Sequence, residues 1–580
     1  MDKLLIKNFF KNNTNLIYLT LILIIAVFFT YWRLIIQFEA GPLWDTMDFL
    51  NNAMYFAGQG FGHVDYTRPP FFSFMVALVF RLGFISLQSI YIIDCIFFIL
   101  GVVGLYQFFK LRFTPYYSFF GSLLFISLPI ILNYVSVGYS DITAVSLSIW
   151  TLYFTVLAIK KDSRYFWVSF PLFILAFLTR YPAALLIFPL IFYLIINKEK
   201  LNYKNLITGI FISVLILVPV LIFFFDKFGN PFYPFLLIFG FTQNSFISGF
   251  LNISAQYQSN IPVYAMGESA NLPENMYYND DLFYFIKKLP FIGFTALTIL
   301  FISILGIIIH IIVKLKENTS SVFKVFKKDQ NRFIIPVLVI IFLIFIATFG
   351  RINYLISEII FLIFGYLGYN SLKGCDIKYL DIDFMFLLYF MSFFIFNSVY
   401  TIKDDRYFLA MAPAFIYFLI RGFKFFVERF KLEYKNLNLT KLVLSVVLIV
   451  MLFSSTVAYL YYMPEDRISI KEDNQDIYLA SNWIMEQDPG YENKTIFSDY
   501  WPFFSWYLKT NVRAMPAFRN NKIYYYRLKD YNIDSSTIMQ YDKELSDNNV
   551  DYYLSYIPGL NLTSYKPVKR FGLITIYKRT

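Results

Sequence analysis

The sequence predicts an α-helical polytopic membrane protein with a small α/β domain at its C-terminal end. Three observations predict it. Hydrophobic residues fill 58% of the 580 positions and charged residues only 15%, against roughly a quarter charged in soluble domains. Apolar runs close to the ~20 residues that span a bilayer core recur at 16–38, 90–109, 291–313, 333–349 and 442–462. From about 464 onward the chain turns polar, with short β-rich runs at 494–497, 551–556 and 573–577. The apolar runs must be helical, because hydrocarbon offers the backbone no hydrogen-bond partner.

The net charge of +11 does not point to nucleic acid. The basic residues lie in short loops between apolar runs, which is the positive-inside pattern of membrane proteins, and not on one solvated face or tail. The two cysteines, Cys95 and Cys375, lie in or beside predicted spans, so neither a disulfide framework nor a cysteine metal site is expected. The N-terminal apolar run is too long for a cleavable signal, lacks a small-residue cleavage site, and reads as a first span.

Lys3, Lys7 and Lys11 precede the first span, 16–38, and place the N-terminus in the cytoplasm. Spans 87–109 and 116–137 enclose Lys110 and Arg112. Spans 141–159 and 164–179 enclose Lys160, Lys161 and Arg164. Spans 182–197 and 205–225 enclose Lys198, Lys200 and Lys204. Three further pairs flank the basic segments 314–332, 373–383 and 421–441. The total is thirteen spans, and every basic loop falls on the cytoplasmic side. Three segments then face outside: a first loop at 39–86, a long segment at 226–290, and the polar domain at 464–580. Residues 1–463 form the membrane module.

The first outer loop is the densest in information. Gly41-Pro42-Leu43-Trp44-Asp45-Thr46-Met47-Asp48 leads into a helical pattern with Met47, Leu50, Met54 and Ala57 on one face and Asp45, Asp48 and Asn52 on another. Such a helix suits the membrane interface, with its acidic face toward water or a cleft. Tyr66-Thr67-Arg68-Pro69-Pro70 follows, and the prolines start a second apolar helix running to about Phe84. In the plainest reading Asp45 is an N-cap, Asp48 occupies the third helical position where the helix dipole favours an acid, and Arg68 anchors the chain at the interface. The alternative is an acidic site beside a cation.

These motifs resemble the first outer loop of the GT-C membrane glycosyltransferases, most of all glycosyltransferase family 39 and its relatives, the protein O-mannosyltransferases and lipid A aminoarabinose transferases. That family typically has Asp-Glu, an amphipathic helix, then Lys-Pro-Pro or His-Pro-Pro. Further similar islands follow in order: Gly138-Tyr139-Ser140-Asp141 opening a span, Leu178-Thr179-Arg180-Tyr181-Pro182 at a basic turn, Gly229-Asn230-Pro231, Asp405-Arg406-Tyr407 before a late span, and Val550-Asp551-Tyr552-Tyr553 in the tail. There are departures. Thr46 stands where a second acid is usual, and Arg68 stands in place of Lys or His. The Trp-Trp-Asp-Tyr-Gly motif of oligosaccharyltransferases is absent.

The resemblance implies a GT-C-like fold and transfer of a sugar from a polyprenyl-phosphate donor of the dolichyl-phosphate type to an acceptor on the outer face. The acceptor is a protein, lipid or glycan, and the surroundings are membrane lipids. In that reading Asp45 is the general base of an inverting displacement and Asp48 its acidic partner. The leaving phosphate gathers negative charge and needs cations, which Arg supplies well. Arg68, Arg180 and Arg406 are therefore the expected phosphate ligands, with Tyr407 beside them. Asp141 and Arg351 are additional candidates; no motif supports Arg351, which reads better as a snorkelling anchor. No metal and no cofactor are expected. The runner-up is a transporter or flippase of a lipid-linked glycan, which would need a polar path across the midplane and paired broken spans or a repeat. Neither a broken pair nor a repeat is visible in the sequence.

Overall fold

The computed structural model describes residues 2–60, 62–239, 290–317, 329–373, 377–399, 405–434, 437–519, 522–524, 534–557 and 559–580. Most of the expected outer segment at 226–290 lies outside them. The described chain is mostly helix, and eight helices are long and apolar enough to cross a membrane. Those helices contain or match the expected spans at 16–38, 87–109, 141–159 and 205–225, and one helix of each pair around the basic segments, with both at 373–383.

The other expected spans are shorter or interrupted. The run at 116–137 forms two helices, Pro115–Ser127 and Pro129–Tyr134, because Pro129 has no N–H to continue the first and restricts Leu128 to extended backbone. The turn at Arg180 separates Phe166–Thr179 from a 3-10 turn, Tyr181–Leu186, that leads into Ile187–Ile196. Pro182 sits at the start of that turn, where it suits a helical beginning. These breaks bring non-helical backbone, with side chains of the site attached, to one end of the bundle.

The predicted loop helices form at Trp44–Phe56 and Pro70–Arg81. The first departs from expectation in two ways. Its N-cap is Leu43, which makes no side-chain capping bond, so Asp45 lies one residue inside the helix and does not cap it. The helix also does not lie on an interface with a wet face: Thr46 through Met54 are all buried. The reason is the C-terminal domain. Met47, Leu50 and Met54 share one apolar cluster with Phe72 and Val76 of the second loop helix and with Ile477, Ala480, Phe503 and Trp506 of the tail.

That tail is α/β, as the polarity change predicts. Five strands run in the order Val512–Ala514, Ile496–Ser498, Tyr552–Ser555, Ile574–Arg579, Tyr565–Phe571, the first two pairings parallel and the last two antiparallel. The helices Ile468–Gln487 and Trp501–Leu508 pack between this sheet and the loop helices.

Charged residues collect at both ends of the bundle. The Ser140–Lys160 helix carries one of each set, Asp141 and Lys160, about 28 Å apart at 1.5 Å per residue. At the Lys160 end, Asp381 pairs with Lys160 at 2.8 Å and Asp383 pairs with Arg112 at 3.4 Å and Arg421 at 3.1 Å. Tyr193 and Tyr417 donate hydroxyls to the same two carboxylates. These residues come from the segments that the positive-inside pattern assigns to one side.

Candidate active site

The chain enters the site through a glycine. Gly41 has φ +83°, a left-handed conformation that disfavours a side chain. A Cβ there would also stand 2.8 Å from the amide of Asn474. That amide donates to the carbonyls of Ala40 and Pro42 at 3.2 and 3.1 Å. The start of the Trp44–Phe56 helix is thereby fixed to the tail domain.

Asp45 and Asp48 meet on the inner side of this helix. Arg68 donates from one nitrogen, Nη2, to Asp45 Oδ1 at 2.9 Å and to Asp48 Oδ2 at 2.5 Å. Arg406 takes the other Asp45 oxygen, Nη1 to Oδ2 at 2.8 Å. Burial alone would raise the proton affinity of Asp45. The two guanidinium groups outweigh it and hold the carboxyl well below the usual carboxylate range. Arg68 gains a third carboxylate, Asp65, whose Oδ2 lies 3.3 Å from its Nε. Asp65 is itself tied down: its backbone exchanges two hydrogen bonds with the Asn52 side chain, and its Oδ1 accepts from the Thr67 amide and hydroxyl.

The second half of the site hangs on the turn before Ser140–Lys160. Ser136 and Gly138 both have positive φ, 66° and 82°. Three side chains hold them. Thr46 donates its hydroxyl to the Val137 carbonyl at 2.8 Å, Asp94 accepts from the Gly138 amide at 3.4 Å, and Cys95 Sγ lies 2.9 Å from Ser136 Oγ. Gly138 is required on packing grounds as well, since a Cβ would stand 2.9 Å from Thr46 Cγ2. Thr46, which replaces the family's second acid, thus turns away from the carboxylates and clamps this turn. The turn delivers Asp141, whose Oδ2 is 2.7 Å from Arg180 Nη1, and Tyr139, whose ring lies under Arg406 at 5.7 Å. The ring of Tyr407 sits between Arg180 and Arg406, at 5.8 and 5.7 Å.

Asp45, Arg68, Asp141, Arg180, Arg406 and Tyr407 all line one cavity of about 280 Å³. Its lining also includes the apolar side chains of Ala144, Val145, Phe393 and Phe396. Such a cavity can take a ligand with an anionic centre and an apolar body. Asp48 touches Arg68 from behind, with a side chain only 4% exposed against 22% for Asp45. Arg351 is not among the cavity's lining residues and is exposed. Asp65 and His63 are additions that the sequence reading missed. The one available signal for Asp65 was its place three residues before Arg68. His63 Nε2 lies 3.5 Å from Asp48 Oδ1. No three His, Cys, Asp or Glu side chains among the described residues are grouped to hold a metal ion.

A family model described as dolichyl-phosphate-mannose-protein mannosyltransferase matches residues 67–223, the stretch from Arg68 through Arg180. No curated protein matches the sequence. Among solved structures, the chain is similar to ArnT from Cupriavidus metallidurans bound to undecaprenyl phosphate, with a TM-score of 0.53 at 11% identity over 96% of this chain and 97% of that one. It is also similar to the archaeal oligosaccharyltransferase AglB from Archaeoglobus fulgidus, in complex with an inhibitory peptide and a dolichol-phosphate. That match has a TM-score of 0.52 at 12% identity and covers 94% of this chain and 70% of that one. The fold is thus shared with GT-C glycosyltransferases over nearly the whole chain.

Proposed function

We propose that this membrane protein is an inverting glycosyltransferase that moves a sugar from a polyprenyl-phosphate donor to an acceptor hydroxyl at the outer face. The observation that carries the reading is the convergence of Arg68, Arg180 and Arg406 on one cavity, with Asp45 among them and apolar side chains in the same lining. The fold shared with ArnT, and the match to the mannosyltransferase family model, support the same class. In this reading thirteen spans place the N-terminus in the cytoplasm and the cavity and tail domain outside.

The donor phosphate competes with carboxylates for the arginines. When Arg68 and Arg406 turn toward phosphate, Asp45 loses the two N–H bonds that depress its proton affinity. The carboxylate then becomes a better base at the moment the donor is in place. The acceptor oxygen attacks the anomeric carbon, its proton passes to Asp45, and the bond to the phosphate oxygen breaks. The negative charge that develops on the phosphate meets guanidinium groups already in position. Tyr407 keeps Arg180 and Arg406 apart and directed into the cavity, and Asp141 holds Arg180. One displacement with one base inverts the anomeric centre and needs no covalent intermediate.

The transport alternative is less favoured. The charged lining of the cavity gathers at the Asp141 end of the Ser140–Lys160 helix, with the other charged set at the opposite end. The test is to give the purified protein in lipid nanodiscs a panel of radiolabelled polyprenyl-phosphate sugars and follow the label. Transfer to water or to an added acceptor supports the reading. Movement of intact donor across a sealed bilayer without cleavage favours transport.

A further inference from the structure

The two halves of the cavity arrive on different parts of the chain. Asp45 follows the Gly41 turn, and Asp141, which holds Arg180, follows the turn at 136–138. Thr46 joins the halves directly through its bond to the Val137 carbonyl. A second connection runs outside the cavity, through the first tail helix, Ile468–Gln487, and the residue before it. Arg467 stands between that helix and the last span, Leu439–Asp466. It is buried, and its Nη2 donates to Asn133, to the carbonyl at 3.4 Å and to the side-chain oxygen. Asn133 lies in the Pro129–Tyr134 helix, three residues before Ser136. Seven residues beyond Arg467, about two turns on and so on the same face, Asn474 holds the carbonyls of Ala40 and Pro42 on either side of Gly41. A buried chain of hydrogen bonds joins these two attachments. Arg33 in the first span donates to the carbonyls of Leu132 and Asn133 at 2.9 and 3.2 Å and to Gln37 Oε1 at 2.8 Å, and Gln37 donates to the Gly41 carbonyl at 2.5 Å. Arg33 and Arg467 therefore meet at one carbonyl oxygen. Two buried guanidinium groups repel there and depend on these acceptors to replace lost hydration, so the joint tolerates little displacement. Arg33, Gln37, Asn133, Arg467 and Asn474 do not line the cavity.

On the basis of the transfer reading above, we propose that Arg467 and Asn474 are positioning residues that set the two halves of the site in register, Arg467 for the phosphate half and Asn474 for the base half. Arg467 secures the segment that leads into the turn before Asp141, and Asp141 holds Arg180, an expected phosphate ligand. Asn474 secures the turn before Asp45, the expected base. Each acts through the backbone of another segment and touches no substrate. Loss of Arg467 loosens the Asp141 turn and leaves Gly41 held by Asn474 and Gln37. Loss of Asn474 frees the start of the Trp44–Phe56 helix and leaves Asn133 held by Arg467 and Arg33. The tail domain thereby belongs to the donor site without lining it.

Two readouts on the full chain in lipid nanodiscs separate these roles from plain loss of stability. One is affinity for a short-chain polyprenyl phosphate. The other is kcat for release of sugar from the labelled donor that the panel identifies. Arg467→Ala should weaken phosphate binding roughly 2–30-fold, with a smaller change in kcat. Asn474→Ala should lower kcat by up to about 100-fold, with a smaller change in phosphate binding. Arg467→Lys keeps an N–H donor for Asn133 and should recover most of the lost affinity. Asn133→Ala removes the side-chain oxygen that Arg467 uses, so it should reproduce the Arg467→Ala defect and add little to it in the double variant. Should either alanine variant at 467 or 474 fail to fold, Asn133→Ala and Asn474→Ser test the same two attachments, with defects of the same kind expected. Wild-type phosphate affinity in well-folded Arg467→Ala and Asn133→Ala proteins would overturn the proposal. So would binding and kcat that fall together, by the same factor, in both the Arg467 and the Asn474 variants. Either result leaves the transfer reading standing. A wild type that binds polyprenyl phosphate but cleaves no donor would sink the transfer reading, and the proposal with it.

Discussion

Two clusters of aspartate and arginine sit at opposite ends of one helical bundle, built from the same chemistry and put to different ends. At the Lys160 end, Asp381 and Asp383 are met by Lys160, Arg112 and Arg421 and by two tyrosine hydroxyls. At the Asp141 end, Asp45, Asp65 and Asp141 are met by Arg68, Arg180 and Arg406, and these residues line a cavity together with apolar side chains. An ion pair is therefore not a functional signal by itself. The second cluster lines a cavity, into which a phosphate can come and exchange with a carboxylate. The first cluster ties five segments of the chain together; in the proposed reading the second holds its cations for the donor phosphate.

Substitution can sharpen that contrast. The largest effect is expected at Asp45. Asp45→Asn removes the proton acceptor and retains one amide oxygen, which can still accept from Arg68 or from Arg406. Because Leu43 and not Asp45 caps the helix, folding should survive while turnover falls by roughly 10²–10⁴-fold. A well-folded Asp45→Asn protein with near-wild-type transfer would remove the base from the account. At the opposite end, Asp383→Ala leaves Arg112 and Arg421 without their buried partner and should destabilise the protein by about 3–5 kcal/mol. Thermal unfolding in detergent measures the loss, and the molecules that remain folded should keep their turnover. A selective loss of turnover in stable protein would instead give the cluster at the Lys160 end a functional role.

A smaller effect is expected at Thr46. Thr46→Val keeps the shape and removes the hydroxyl bonded to Val137, at about 1 kcal/mol. Turnover should drop several-fold through the displaced Asp141 turn, with little change in melting temperature. The smallest effect concerns pH. Asp45 has its proton affinity lowered on folding, so its ion pairs contribute stability above the unfolded value near pH 3.9 and lose it only as pH falls through the still lower folded value. Stability of the donor-free protein should therefore show no step from Asp45 between about pH 5 and 9, and a step there that disappears in Asp45→Asn would contradict the paired geometry.

Much of this was legible in the sequence. The apolar runs and basic loops define the bundle, and the acidic run at 45–48, Arg68, and the turns at Arg180 and Arg406 hold most of the cavity's charged wall. The strand runs at 494–497, 551–556 and 573–577 fall on real strands of the tail. Other features were not legible, for physical reasons. The Trp44–Phe56 helix reads as amphipathic, yet both faces are buried, because its cover comes from the far end of the chain. His63 and Asp65 stand in an irregular loop with no periodicity, and only the fold brings them to Asp48 and Arg68. The break at Pro129 was readable from the proline but hidden inside a run of spanning length. Arg351 shares the end-of-span position of Arg180 and Arg406 but lacks the fold that would turn it inward.

The account stands or falls on whether the three arginines bind a lipid phosphate. The most direct measurement is the affinity of the purified protein for a short-chain polyprenyl phosphate, compared among wild type, Arg180→Ala, Arg406→Ala and Arg351→Ala. The account predicts saturable binding by the wild type, weakening by about 1.5–3 kcal/mol in each of the first two variants, and wild-type affinity in Arg351→Ala. Equal affinity in all four proteins, or no saturable binding by the wild type, would contradict it.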